Sequence, residues 1–112
     1  MAYALAIVAD LMLGSRVAET LGAAGHEVEL VPAIAEASGL DLAEVIVADL
    51  DCEPPEALVG LGPPVLGFYQ HTDMDTKKAA DAAGIDLAVP RSRLVREMPE
   101  LVDRLLNEPR PT

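Results

Sequence analysis

The chain has 112 residues, of which 51% are hydrophobic and 3% aromatic, and its formal net charge is −11. This length allows one domain with its own core, which we expect to span residues 1–108, with a frayed tail over 109–112. The charge is uneven, because residues 1–76 hold thirteen acidic residues and a single arginine. Such an acidic surface repels phosphate backbones and anionic lipids, which excludes nucleic acids and membranes as expected partners.

The single cysteine, Cys52, cannot form an internal disulfide, and the apolar N-terminal stretch is too short and lacks the basic flank of a secretory signal. No apolar run approaches the roughly 18 residues that a membrane span needs. We therefore expect a cytoplasmic protein. Because Cys52 lies between acidic residues, we also expect a raised thiol pKa, which disfavours a nucleophilic thiolate.

Apolar runs alternate with amphipathic stretches along the chain, a pattern typical of βαβ units and a parallel sheet. The first strand is predicted over residues 3–9 and the first helix over 12–24. The second strand, 26–31, alternates polar and apolar residues, as an edge strand does. A short Ala-rich helix is predicted over 33–38, followed by a third strand over 42–48.

Two prolines at positions 54 and 55 predict the start of a short helix, because proline lacks only an amide hydrogen that is unpaired in a first turn anyway. A buried fourth strand is predicted over residues 65–69, in which Gly67 indicates a close approach to the backbone. Thr72 or Asp73 is predicted to cap the next helix.

The last third of the chain predicts a fifth strand over residues 85–89, a turn over 91–98 and a final helix that begins at Pro99. Right-handed crossovers between the strands then give an α/β three-layer sandwich, with helices on both faces of a five-stranded parallel sheet.

Two aspartates follow apolar runs, Asp10 after the first strand and Asp49 after the third. The carboxyl ends of strands in an open parallel sheet border the functional crevice, so these two carboxylates are expected to share an acidic pocket. Asp51 and Glu53 are expected at the rim of this pocket.

The order of elements and the residues at the strand ends resemble the receiver domain of bacterial response regulators, a flavodoxin-like fold with strand order 2-1-3-4-5. The resemblance implies two-component signalling, with Asp49 at the phospho-acceptor position. It also implies a magnesium site at Asp10 and Asp49, although Asp10 matches only one member of the family's acidic pair, because Ala9 precedes it.

Two further residues of the family's phosphorylation set do not match. The Ser or Thr after strand four falls near Tyr69 or Gln70, and the Lys after strand five corresponds to Val89. Magnesium neutralises an incoming phosphoryl group and the Lys holds its charge, so an aspartyl phosphate would be poorly stabilised without them. We therefore interpret the chain as a stand-alone pseudo-receiver, a non-catalytic regulatory or protein-interaction module without a cofactor.

Two other functions stay open. One is a working receiver that accepts phosphate on Asp49 with magnesium. The other is a small phosphotransferase of the haloacid-dehalogenase type, in which Asp49 is the nucleophile and Asp51 the general acid, because an apolar run before Asp-x-Asp is similar to that family's first motif.

An arginine cluster near the C-terminus predicts an interaction surface. In receivers, the face formed by the fourth helix, fifth strand and fifth helix is the docking and dimerising surface. Here that face carries most of the positive charge, which favours an acidic protein partner or a homodimer. The alternative is local pairing with Glu97, Glu100 and Asp103. The arginines are Arg91, Arg93, Arg96 and Arg104.

Overall fold

The computed structural model describes residues 2–70 and 74–107, so the predicted cap at Thr72 or Asp73 and the predicted tail lie outside it. Five parallel strands form one sheet of order β2-β1-β3-β4-β5, which confirms the predicted α/β fold and strand order. The strands are β1 (Tyr3–Ile7), β2 (Glu27–Val31), β3 (Val45–Asp49), β4 (Val65–Tyr69) and β5 (Leu87–Pro90).

Helices cover both faces of the sheet. On one face α1 and α4 pack side by side over the core, and α2 and α3 cover the other face. Within the described residues, no helix combines the length and apolar character needed to cross a membrane. The helices are α1 (Leu11–Ala23), α2 (Pro55–Val59), α3 (Met74–Ala83) and α4 (Arg91–Asn107).

The crossover from β2 to β3 contains a single 3₁₀ turn, Ile34–Glu36, where the sequence predicts a helix over residues 33–38. That prediction is wrong for two physical reasons. Ala33 precedes the turn and offers no capping side chain. Ser38 lies beyond the turn, and its amide donates to the side chain of Glu29 instead of continuing a helix.

The helix α4 begins directly after β5, so the predicted turn over residues 91–98 is also wrong. Leu94 and Met98 are fully buried and, four residues apart, lie on the core-facing side of this helix. The helix is kinked at Glu97, where φ is −123° and ψ is 16°. Pro99 explains the kink, because it lacks an amide hydrogen and its ring crowds the preceding turn. The second half of α4 therefore starts close to Pro99, as predicted.

The interior strand β4 places consecutive residues on opposite faces of the sheet. Leu66 and Phe68 join the core beneath α1 and α4, whereas Val65 and Tyr69 join the core beneath α2 and α3. On the second face, a Cβ atom at Gly67 would lie 2.7 Å from a methyl carbon of Leu50. The close approach predicted at Gly67 is therefore present, and the side chain of Leu50 makes it.

Glu29 of β2 ties the long crossover to the sheet edge. One carboxylate oxygen accepts hydrogen bonds from the amide and hydroxyl of Ser38, at 2.8 and 2.9 Å, and the other accepts from the amide of Gly39 at 2.8 Å and the hydroxyl of Tyr3 at 3.3 Å. These donors, the Ser38 amide first, hold the pKa of Glu29 below its ordinary value.

We expect Glu29→Gln to lower the stability of the domain near neutral pH and to flatten its loss of stability in acid. A carboxylate whose pKa is lower in the folded state stabilises the fold above its unfolded-state pKa, and this contribution disappears as the pH falls through the folded-state pKa. Urea midpoints measured from neutral to acidic pH test this, with Glu27→Gln on the same strand as control. Parallel pH profiles for wild type and Glu29→Gln would contradict it.

Candidate functional site

The two aspartates lie at the carboxyl edge of adjacent strands. In the parallel register of β1 and β3, Ile7 stands beside Ala48, so both chains leave the sheet at the same edge. Asp49 is the last residue of β3 and is half-buried, whereas Asp10 is exposed and caps α1. The topology thus delivers both carboxylates to the edge where open parallel sheets bind their ligands.

Both carboxylate oxygens of Asp10 accept hydrogen bonds from the protein. One accepts from the amide of Leu13 at 3.0 Å, which is the N-cap bond of α1. The other accepts from the guanidinium of Arg91 at 3.2 Å. The Leu13 amide first, and then Arg91, lower the pKa of Asp10. Asp10 is therefore an ionised cap that carries its own counter-ion.

Arg91 reaches Asp10 because of the way the helices pack. It is the first residue of α4, and α4 lies beside α1 on one face of the sheet, so the amino ends of the two helices meet at the carboxyl edge. Lys77, near the start of α3, instead pairs with Asp81 of its own helix at 2.8 Å. Arg91, predicted as part of the interaction face, thus pairs with a residue of the candidate site.

Asp49 organises the loop that follows β3. One of its carboxylate oxygens accepts a hydrogen bond from the amide of Asp51 at 2.9 Å, and the other accepts from the thiol of Cys52 at 3.6 Å. Burial, reinforced by the charge of Asp49, raises the pKa of the Cys52 thiol, as the sequence predicts. The carboxylate of Glu53 accepts a hydrogen bond from the amide of Ile34 at 3.5 Å, which links this loop to the 3₁₀ turn.

The predicted acidic set is therefore divided among three local structures. Asp49 and Asp51 share one turn, Glu53 contacts the 3₁₀ turn, and Asp10 pairs with Arg91. Across residues 2–70 and 74–107, no group of three or more His, Cys, Asp or Glu side chains is placed to hold a metal ion. The described part of this edge offers a divalent cation few ligands.

Two positions where the receiver resemblance implies charged side chains carry apolar ones. Ala9, beside Asp10, is exposed and adds no carboxylate. Val89 is fully buried in the core beneath α1 and α4, where it pairs with Phe68 across β4 and β5. Because Val89 is an apolar residue buried in this core, the end of β5 supplies no cation from this position.

Two of the remaining arginines pair locally on α4. Arg93 and Arg96 contact the two carboxylate oxygens of Glu97, at 3.4 and 3.0 Å, and Arg96 first lowers the pKa of this carboxyl. Asp103 instead faces the ring of His26 at 3.7 Å. Arg104 is exposed on the last turns of the helix. The sequence left open that these arginines pair with nearby acidic residues instead of a partner protein, and Arg93 and Arg96 do pair in this way.

A groove between α1 and α4 runs away from this edge and was not anticipated from the sequence. It has a volume of about 430 Å³ and is lined by Asp10, Met12, Leu13, Arg16, Arg91 and Val95. The sequence feature that could have indicated this groove is Met12. It is an apolar residue in the first turn of α1 but does not belong to the buried stripe of that helix.

Neither a known family model nor a curated protein matches the chain. Solved structures do. The non-phosphorylated HemR receiver domain from Leptospira biflexa superposes with a TM-score of 0.81 at 20% identity, over 100% of this chain and 99% of that one. A CheY-like response regulator receiver domain protein from Methanospirillum hungatei JF-1 gives a TM-score of 0.81 at 15% identity, over 96% and 94% of the two chains.

The chain has the receiver-domain fold. The same fold occurs in HP1043, an orphan response regulator of H. pylori, with a TM-score of 0.78 at 13% identity, over 95% of this chain and 97% of that one. At these identities the likeness is one of fold alone.

Proposed function

We propose that this protein is a non-catalytic regulatory or protein-interaction module that uses the receiver fold without phosphorylation of Asp49. The observation that carries the proposal is the ion pair between Arg91 and Asp10. A guanidinium supplied by the chain itself donates a hydrogen bond to Asp10, one of the two carboxylates to which the receiver resemblance assigns a divalent cation.

The residues at this edge do not fit a magnesium ion. Magnesium takes oxygen ligands in near-octahedral geometry and is usually held by carboxylates. Both oxygens of Asp10 already accept hydrogen bonds, Arg91 adds a repelling positive charge, and Ala9 contributes no second carboxylate. Without the metal, the charge of a phosphoryl group approaching Asp49 is not neutralised.

A phosphoryl group on Asp49 would also lack a partner once formed. Val89 is buried in the core, and Lys77 is paired with Asp81. Both oxygens of Asp49 accept hydrogen bonds from the loop that follows β3. This arrangement supports a structural role for Asp49, which orders the loop instead of acting as an acceptor.

The same contacts disfavour the phosphotransferase alternative. That reaction needs Asp49 as a free nucleophile and Asp51 as a general acid beside it. Both carboxylate oxygens of Asp49 accept hydrogen bonds from the loop that follows β3. The residues after Asp51 are Cys52 and Glu53, where that family continues with Gly-Thr. The working-receiver alternative requires Arg91 to leave Asp10 before a metal ion binds there.

A protein partner and a cytoplasmic setting complete the proposal. The acidic charge of the chain, −11, argues against nucleic acids and anionic membranes as partners. The exposed Cys52 is free, and a free surface thiol is more stable in a reducing compartment. We expect the protein partner to bind the face formed by α3, β5 and α4.

Incubation with acetyl phosphate and magnesium, followed by intact-mass spectrometry, tests the proposal. We expect no phosphoryl adduct on the wild-type chain, because neither the metal nor the phosphoryl group is stabilised. Asp49→Asn is the matched control. A wild-type adduct that Asp49→Asn abolishes would overturn the proposal in favour of a working receiver, and turnover of an aryl phosphate that depends on Asp49 would favour the phosphotransferase.

A further inference from the structure

The groove between α1 and α4 combines guanidinium groups with apolar side chains. Arg16 from α1 and Arg91 from α4 line it, together with Met12, Leu13 and Val95. Leu13 is buried and Val95 packs against the same core, so apolar carbon forms the base of the groove. Met12 is 85% exposed, and its flexible thioether side chain can close over a bound molecule. One ligand can therefore meet both apolar and positively charged groups here.

The groove is positive although the protein is strongly acidic. Its charged lining consists of two arginines and one aspartate, a formal charge of +1, whereas the chain carries −11. The amino ends of two helices lie at the same place, because Asp10 is the N-cap of α1 and Arg91 is the first residue of α4. The amino end of a helix carries partial positive charge. An anion is thus repelled by most of this protein and attracted to the groove.

Both guanidinium groups have donors left for a ligand. Arg91 donates to Asp10 through Nη2 at 3.2 Å, and a guanidinium has five N–H donors in all. Within residues 2–70 and 74–107, the side chain of Arg16 makes no hydrogen bond or ion pair. Guanidinium groups pair with carboxylate and phosphate groups through two parallel hydrogen bonds. The ion pair with Asp10 also holds Arg91 at the groove before a ligand arrives.

The dimensions of the groove suit a small molecule. Its volume of about 430 Å³ falls within the range of small-molecule sites, roughly 300–1,000 Å³. The lining covers residues 10–16 of α1 and 91–95 of α4. With a helical rise of about 1.5 Å per residue, these stretches are about 9 and 6 Å long. Such a length accommodates one ring, or a short chain, with an acid group attached.

We propose that the groove between α1 and α4 binds a small organic anion, in which an apolar body carries a carboxylate or phosphate group. The acid group pairs with Arg16 and Arg91, and the apolar body contacts Met12, Leu13 and Val95. This inference goes beyond the proposed function, because it gives the module a small-molecule ligand. It does not depend on whether Asp49 is phosphorylated.

Four small probes test the groove on the full chain. Phenylphosphonate and phenylacetate join a phenyl ring to the two kinds of acid group, inorganic phosphate lacks the ring, and benzylamine joins the ring to a positive charge. Binding is followed by ¹⁵N–¹H NMR. We expect saturable shifts at residues 12–16 and 91–95 with both aromatic anions. Inorganic phosphate is expected to bind at least about tenfold more weakly, because it buries no apolar surface, and benzylamine is expected not to bind.

Substitutions at exposed positions separate the two contributions. Arg16→Gln is expected to weaken the binding of both aromatic anions by about fivefold, because a charge-assisted pair is lost. Met12→Ser is expected to narrow the difference between phenylphosphonate and inorganic phosphate. Lys78→Gln and Leu42→Ser are the matched controls, since both positions are exposed and lie outside the groove. Circular dichroism confirms that each variant is folded.

Three results would overturn the groove as the proposed site. These are no saturable shift with either aromatic anion, equal binding of phenylphosphonate and inorganic phosphate, or control variants that lose as much affinity as Arg16→Gln. Shifts centred on residues 49–53 would also contradict it and place the anion at the acidic edge. Concentration-dependent shifts of the groove signals without any probe would assign the groove to a second copy of the chain.

The phosphonate probe keeps this test separate from that of the proposed function. Phenylphosphonate holds its phosphorus through a carbon–phosphorus bond and donates no phosphoryl group to Asp49. Its binding therefore leaves the acetyl phosphate result unaffected. Failure of the groove and failure of the proposed function are thus distinguishable.

Discussion

Replacing Phe68 with alanine is expected to lower the free energy of unfolding by about 3–5 kcal/mol, the usual cost of deleting a buried aromatic side chain. Phe68 is the chain's single phenylalanine and is 1% exposed. It lies on the interior strand β4 between Asp49 of β3 and Val89 of β5. The surrounding core is aliphatic, so no neighbouring ring can fill the cavity.

Urea denaturation of Phe68→Ala and wild type measures this effect. Phe68→Leu is the matched control and is expected to cost less, because it keeps an apolar side chain of intermediate volume at the site. A destabilisation by Phe68→Ala no larger than that by Phe68→Leu would show that the core beneath α1 and α4 collapses onto the vacated space.

Gly67→Ala, on the opposite face of the same strand, is expected to destabilise the domain by about 1–3 kcal/mol through overpacking. The added Cβ atom would lie 2.7–2.8 Å from three side-chain carbons of Leu50, which is buried. Leu50 directly follows Asp49, so its displacement also disturbs the loop that Asp49 orders. A single methyl group therefore affects both the core beneath α2 and the candidate site.

A double-mutant cycle that combines Gly67→Ala with Leu50→Ala tests whether crowding by Leu50 causes the destabilisation. Since Leu50→Ala removes the carbons that crowd position 67, the double variant is expected to be more stable than the sum of the two single effects predicts. Urea midpoints provide the four stabilities. Strict additivity would show that the cost of Gly67→Ala arises from the strand backbone and not from Leu50.

Local patterns predicted the sheet well because each strand is marked by its own residues. The run Val65–Tyr69 is uninterrupted, apolar and preceded by two prolines, and the structure has β4 with these same bounds. The predictions of secondary structure failed where distant contacts or competing local signals determine which element forms. Pro99 suggested a helix start, although the spacing of Leu94 and Met98 was already helical on its amino side.

The crossover before β3 shows a second limit. Its alanines favour a helix, but the amides of Ser38 and Gly39 are taken by Glu29, nine and ten residues earlier. Propensity is a weak guide when a side chain elsewhere competes for the backbone donors. Such a contact becomes visible only once the strands are placed side by side.

Part of the candidate site could likewise be predicted from the sequence, and part of it could not. The strand ends alone were enough to place Asp10 and Asp49 at one edge, because parallel strands share their carboxyl side. The ion pair of Asp10 with Arg91 joins residues 81 positions apart and depends on how α4 packs beside α1. By contrast, the Arg93–Glu97 pair has i, i+4 spacing and was one of the alternatives considered from the sequence.

Titration of the wild-type chain with magnesium, followed through the ¹⁵N–¹H NMR signals of residues 10–13 and 49–53, tests the central claim most directly. That claim is that Arg91 occupies the acidic edge in place of a metal ion. We predict no saturable shift of these signals at millimolar magnesium, and we predict that Ala9→Asp combined with Arg91→Ala gains one. Saturable shifts in the wild-type chain, absent in Asp49→Asn, would contradict the account.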